Sequence, residues 1–286
     1  MRCPVCGATP SLDDRTVRCP AGHTFDVARQ GYVHLTGGRR LRHADTTEMV
    51  QAREAFLEAG HYAPIADGVA EVVASGWSGL AAARTPTSGD GMPPRPEVIV
   101  DVGAGTGYHL AAVLDTRPGA TGIAIDSSVP ALRRAGRRHP RMAAIAGDAW
   151  RDLPVGDGAA STALSIFAPR DGAELERILA PAGRLIVVTP TARHLRELVG
   201  PLDLVTVDPQ KAERLARKLG PHFVPDAERS VEWTMHLSLD DAFALVAMGP
   251  TARHVPAEDL RLRVGTLAPA PIAVTASVQI GSYVRR

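Results

Sequence analysis

Cys3, Cys6, Cys19 and His23 stand in a C-x2-C-x12-C-x3-H pattern that uses every cysteine of the 286-residue chain. Two tight turns, Cys3-Pro-Val-Cys6 and Cys19-Pro-Ala-Gly-His23, each present two ligands, an arrangement that lets thiolates and an imidazole converge tetrahedrally on zinc. Four protein ligands leave no open position for a reacting water, so the reading is one structural zinc ion. Three cysteines cannot pair evenly and Met1-Arg2-Cys3-Pro4 lacks the apolar run of a signal peptide, which argues against a disulfide framework.

A second set of residues suits a nucleoside. Val100-Asp101-Val102-Gly103-Ala104-Gly105-Thr106-Gly107-Tyr108 follows an apolar run and opens a helical pattern, and Asp126 ends the next apolar run 21 residues after Gly105. Glycines let a backbone approach a ligand, and a carboxylate at the end of the second strand can accept hydrogen bonds from ribose hydroxyls. That much fits a nicotinamide cofactor or S-adenosylmethionine. Tyr108 stands where a dinucleotide fingerprint places its third glycine, and Asp101 adds negative charge that suits a sulfonium and an amino group better than a diphosphate. The D-x-G-x-G-x-G run therefore resembles motif I of the class I methyltransferases. Asp148, in Gly147-Asp148-Ala149-Trp150, falls where that family places an acid facing the adenine amino group.

The elements that must position these groups follow from pattern. Residues 1–36 read as a small β-rich zinc module whose close lies at Phe25 to Leu35. Gly37-Gly38-Arg39-Arg40-Leu41-Arg42-His43 reads as an exposed basic loop, and a helix follows from a cap at Asp45 and Glu48, with Met49, Arg53, Phe56 and Leu57 at helical spacing until Gly60. A second helix is predicted over Ala63 to Ser75, closing a connector over 37–77. A linker rich in Pro, Gly and Thr covers 78–96. From 97 to 286 apolar runs alternate with helical stretches, the signature of a parallel sheet covered on both faces. Val231 to Leu237 and Val274 to Ile280 alternate apolar with polar residues and read as half-exposed antiparallel strands.

Composition narrows the class. The net charge is +1, yet arginine outnumbers lysine thirty to two and residues 1–53 carry eight arginines against five acids. A basic end is compatible with nucleic acid without demanding it. Arg133, Arg134, Arg137, Arg138 and Arg141 form a second basic run that reads as a solvated helix face as readily as a phosphate contact. Only twelve aromatics occur, too few for a broad stacking platform of the single-strand-binding kind. No apolar stretch reaches the roughly 20 residues of a membrane span, so the expectation is a cytoplasmic protein with no membrane partner.

The zinc pattern in front of the glycine motif resembles the guanine-N1 methyltransferases of large-subunit (23S) ribosomal RNA, including the tylosin-resistance branch. The resemblance covers nearly the whole chain. It is carried by Cys3-x2-Cys6-x12-Cys19-x3-His23-Thr24-Phe25-Asp26, Gly31-Tyr32-Val33, Glu48-Met49-Val50-x-Ala52-Arg53 and Gly60-His61-Tyr62. It continues through the glycine motif, Phe167-Ala168-Pro169-Arg170 and Arg193-His194-Leu195-x-Glu197-Leu198. Ser165 departs from the branch, where an asparagine is expected.

The resemblance implies a class I Rossmann-like α/β fold with a mostly parallel seven-stranded sheet behind a zinc-binding module. It implies S-adenosylmethionine and zinc as cofactors and methylation of guanine N1 in a hairpin loop, in the helix 35 region, with protection against tylosin-type macrolides. Tyr62, Asp101, Gly103, Gly105, Gly107, Tyr108, Asp126, Asp148 and His194 would hold the cofactor. The zinc module, Phe167 and the basic loop with Arg39, Arg40 and Arg42 would meet the RNA, and two chains could pair on one hairpin. His194, Asp148 and water are all open as the acceptor of the N1 proton. Two other readings compete: a natural-product methyltransferase whose zinc knuckle serves folding alone, and a zinc RNA-binding protein without turnover.

Overall fold

The computed structural model describes residues 1–39, 41, 44–83, 96–204, 210–267 and 269–286, with side chains described throughout these except at 76–83, 211 and 212. Arg40, Arg42 and His43 of the basic loop, and most of the expected linker, lie outside the described residues.

Three short antiparallel strands, β1 (Ser11–Asp13), β2 (Thr16–Arg18) and β3 (Thr24–Asp26), carry the zinc-ligand turns. The next strand, β4 (Tyr32–His34), leaves that ribbon and joins the large sheet. Helix α1 (Thr47–Glu58) starts one residue later than the sequence suggests: Thr46 is the cap, its hydroxyl accepting from the Met49 N–H, and Asp45 is freed for ion pairs. Helix α2 (Ala63–Ala83) outruns the expected boundary at Ser75, because the Gly, Ala and Ser residues after it contain no proline before Pro86 to break the turn.

Beyond the connector the strands are β5 (Glu97–Val102), β6 (Ala120–Asp126), β7 (Met142–Ala146), β8 (Ala160–Ile166), β9 (Leu179–Pro190), β10 (Phe223–Leu237) and β11 (Ile272–Arg285). The helices between them are α3 (Tyr108–Thr116), α4 (Val129–Arg138), α5 (Gly172–Ile178), α6 (Arg196–Leu202), α7 (Lys211–Leu219), α8 (Leu239–Ala247) and α9 (Ala257–Gly265). The sheet order is β10-β11-β9-β8-β5-β6-β7-β4, with β4 to β9 parallel and β10 and β11 antiparallel. Seven of these strands are the expected α/β sheet. The eighth is β4, which pairs Tyr32, Val33 and His34 with Ala144, Ile145 and Ala146 and so covers the otherwise bare edge of β7.

The order reverses between β5 and β8, so the loops leaving their carboxyl ends splay apart and open the crevice where ligands of such sheets bind. The core lies on both faces of the sheet. On one face Val17, Val33 and Leu35 of the N-terminal segment share a single apolar cluster with Val100, Ile125 and Ile145. Strand β11 differs from expectation in being buried on both faces, because Ile280 meets α2 at Gly68 on one face while Thr275 and Ser277 meet Glu197 and Thr191 on the other; Ser277 and Ser282 are as buried as Val274 and Val278. The basic run on α4 is largely spent on the fold: Arg134 pairs with Glu54, Arg138 with Glu58, and Arg141 donates to the carbonyls of Leu114, Arg117 and Ala120.

Candidate functional site

In the ribbon, the four donor atoms of Cys3, Cys6, Cys19 and His23 lie within 4.8 Å of one another. Cys6 Sγ is 3.3 Å from Cys19 Sγ and Cys3 Sγ is 3.7 Å from His23 Nδ1. A sulfur–sulfur distance of that size is no disulfide, which needs about 2.05 Å. It is close to the edge of a tetrahedron built on zinc–ligand distances of about 2.0–2.3 Å. Each turn is closed by its own backbone, Gly7 N–H to Cys3 O and Gly22 N–H to Cys19 O, so the ligand set is held before any metal arrives.

At the carboxyl end of β5, the three glycines do different things. A side chain at Gly103 would put its Cβ 2.5 Å from Ala168 Cβ, and one at Gly107 would lie 2.8 Å from Met142 Sδ and 3.2 Å from Ala135 Cβ. Those two glycines serve close packing within the protein, pressing the loop onto the Phe167 loop and α3 onto its neighbours. At Gly105 the nearest atoms are the Arg53 side chain at 3.5 Å, so this is the glycine that leaves ligand space. Tyr108 begins α3 half-buried with the Arg138 guanidinium over its ring.

Asp126 Oδ2 accepts the Gly105 N–H at 2.8 Å and Oδ1 accepts the Ser128 N–H at 2.7 Å, which fixes the carboxylate beside the glycine loop with lone pairs left for ribose hydroxyls. Asp101 is 2% exposed, and its Oδ1 has no hydrogen-bond partner. Burial first, then the negative charge of Asp126, raises its carboxyl to about 8. Thr106 Oγ1, also buried, lacks a partner as well. Buried acceptors left without donors are costly in a finished fold, and they mark the places where a ligand completes the bonding.

Tyr62, Phe167 and His194 converge from three different elements. Tyr62 Oη is 3.2 Å from His194 Nε2, and the Phe167 ring centroid is 6.1 Å from that of Tyr62 and 5.8 Å from that of His194. Phe167 is 40% exposed and Leu195 lies beside His194; both adopt left-handed backbone (φ 53° and 58°), a strain that persists only where surrounding structure imposes it. Strand β11 imposes it on the His194 loop. The Ser277 N–H donates to His194 Nδ1, the Leu195 N–H to Thr275 O, and Glu197 accepts from both the N–H and the hydroxyl of Thr275. On the other loop, Arg170 folds back to donate to Ser165 Oγ and to Ala168 O, which gives the unexpected serine an anchoring task.

Asp148 stands apart from this cluster. It accepts the Trp150 N–H, pairs with Arg151 at 3.3 Å, and lines a groove of about 320 Å³ whose opposite wall is the first zinc knuckle. Arg39, the described member of the basic loop triplet, lines the same groove with Arg2. The Gly147 N–H to Asp126 O bond ties this turn to the end of β6.

Comparison with known proteins gives the family. A model of an N-terminal zinc ribbon described as "RlmA, N-terminal" matches residues 1–36. A Streptomyces fradiae protein named 23S rRNA (guanine(748)-N(1))-methyltransferase is 45% identical over 278 residues, spanning 97% of this chain and 94% of that protein. A Micromonospora griseorubida protein that carries the provisional name 23S rRNA (guanine-N(1)-)-methyltransferase is 47% identical over 290 residues, 99% of this chain and 96% of its own. This chain belongs to the 23S rRNA guanine-N1 methyltransferase family. Among solved structures, the YcgJ protein of Bacillus subtilis matches at 16% identity and a TM-score of 0.45, covering 67% of this chain and 93% of its own.

As a guanine-N1 methyltransferase the protein uses S-adenosylmethionine and one structural zinc, and the residues present fit both. The four donors meet the tetrahedral requirement. The unpartnered Asp101 Oδ1 and the open side of Gly105 suit a cationic nucleoside ligand. Two residues beside the glycine loop had no chemical signal in the sequence. Arg53 lies over Gly105, held by Asp45 at 2.5 Å and by the Met248 carbonyl at 3.0 Å. His109 sits near it and is held neutral, its pKa pushed down to about 4 by burial and by Arg53. Arg53 stood in a matched motif, but only the fold places it over the loop.

Proposed function

We propose that this chain methylates N1 of a guanine exposed in a hairpin loop of 23S ribosomal RNA. The observation that carries this reading is the 45% identity to the Streptomyces fradiae enzyme along 97% of the chain, zinc ribbon and site together. Bound S-adenosylmethionine supplies an electrophilic methyl on a sulfonium cation. Asp126 orients the nucleoside through its ribose, Asp101 faces the cationic portion, and Asp148 borders the adenine end. Tyr62 and His194 close the side of the site nearest Phe167, whose ring offers a flat face to a base turned out of its stack.

Guanine N1 gains the methyl and loses its proton. His194 is not the acceptor: its Nδ1 takes the Ser277 N–H, so a neutral ring carries its proton on Nε2 and donates to Tyr62 Oη. Asp148 is engaged by Trp150 and Arg151. We assign the proton to water entering from the exposed side of Phe167. The same site, acting on the guanine equivalent to that of the relative, gives protection against tylosin-type macrolides.

The test is transfer of labelled methyl from S-adenosylmethionine to large-subunit RNA from cells that lack the modification, with mass mapping of the product. N1-methylguanine in one hairpin loop is the expected result, and cells given the gene should tolerate more tylosin. Label confined to small molecules would overturn the RNA reading. Sedimentation of the complex reads whether one chain or two engage each hairpin.

A further inference from the structure

The turn that carries Asp148 also carries an indole that the core does not cover. Trp150 is 54% exposed, whereas the other tryptophan with a described side chain, Trp233, is half-buried and donates to the His61 carbonyl. Only the Trp150 main chain contacts Asp148, through its N–H. The ring lies outside, with Lys218 Nζ 4.7 Å from its centroid. Lys218 lies in the last turn of α7, which buries Leu219 against the core and leaves Arg217 and Lys218 exposed. Asp148 and Arg151 of the same turn line the groove that also holds Arg2 and Arg39. An exposed aromatic ring with a cation at its face is poorly suited to a protein interior. It suits a nucleobase, whose face stacks on the indole while neighbouring phosphates take the charges.

We propose that Trp150 is a stacking site for an unpaired base of the RNA substrate, distinct from the guanine that meets Phe167, with Arg217 and Lys218 holding the adjoining phosphates. The proposal rests on the reading of the substrate as an RNA hairpin. It adds to that reading a second anchored nucleotide.

The zinc-loaded full chain, titrated with an unmodified hairpin oligonucleotide, tests this by anisotropy, alongside calorimetric titration of S-adenosylhomocysteine. Base–aromatic stacking of ordinary strength predicts that Trp150→Ala weakens hairpin binding about tenfold and that Trp150→Phe retains most of it. Affinity for S-adenosylhomocysteine should not move in either variant. The pair Arg217→Glu and Lys218→Glu should weaken binding and flatten its salt dependence by about two phosphate contacts. A second readout is independent of affinity: hairpin binding should quench tryptophan emission in the wild type and leave the remaining emission of Trp150→Phe largely unquenched.

Hairpin affinity unchanged in Trp150→Ala, or loss of hairpin and S-adenosylhomocysteine binding together, would overturn the proposal, the second by making Trp150 a brace for Asp148. A wild-type chain that binds no hairpin at all would instead overturn the RNA reading, and this proposal with it.

Discussion

Asp101 is held in a state that disfavours its own charge. Its carboxyl is raised to about 8 in the folded protein against about 3.9 in an unfolded chain, so as pH rises the unfolded state gives up the proton first. Native stability contributed by this residue is therefore full below about pH 4 and is progressively lost up to about pH 8. Asp101→Asn should raise the melting temperature of the cofactor-free protein at pH 8 and leave it little changed at pH 4. The same substitution should weaken S-adenosylmethionine binding. In the wild type that affinity should climb several-fold per unit from pH 6 to 7.5, as a ligand cation draws the proton off, and in Asp101→Asn the slope should vanish. Calorimetric titration across pH checks both; an equal slope in the two proteins would remove Asp101 from the ligand's charge. Asp101 and Asp126 were legible because their spacing around a glycine turn is local in sequence. Arg53 and Ser277 were not, since each acts on a partner brought near only by the folded chain.

At the level of elements, the glycine motif divides into packing and ligand roles that a motif alone does not separate. Gly107 caps α3 in left-handed backbone, with Met142 and Ala135 against it. Gly107→Ala should cost about 2–4 kcal/mol, from backbone strain together with overpacking, and should show as a lowered melting temperature. Gly105→Ala keeps only the strain, since its neighbours lie in ordinary contact at 3.5 Å; its melting temperature should fall less, while cofactor affinity falls more. Thermal melts beside ligand titrations discriminate the two, and equal falls in both quantities would refute the division. The parallel strands and their helices were readable from apolar runs alone. The double burial of β11 was not, because Thr275 and Ser277 look like solvent-facing alternates until Glu197 and Thr191 are seen to meet them.

For the whole molecule, the consequential contact is between the N-terminal segment and the sheet. Val17, Val33 and Leu35 belong to the same apolar cluster as the β5, β6 and β7 strands, and the Arg2 N–H donates to Pro154 O. A ribbon tied in this way should not melt by itself. Cys6→Ser should lose the zinc, measured by metal content, and should move one cooperative transition down in calorimetry; a separate early transition would show that the ribbon unfolds alone. The zinc pattern announced its four ligands through spacing. It gave no sign that three residues just past it would complete a sheet, since a three-residue strand carries too little alternation to reveal its partner.

That short strand also orders events during synthesis. His34 leaves the ribosome well before Met142, and until β7 exists β4 has only its local bridge from Val33 to Val27. The zinc turns close on local backbone bonds and can take up metal at once, whereas the last strand of their segment must wait, extended, through the making of α1 to α4. Long-range pairing of this kind is slow to form. Until β7 arrives, the edge of β4 that it will cover therefore stays unpaired in the nascent chain.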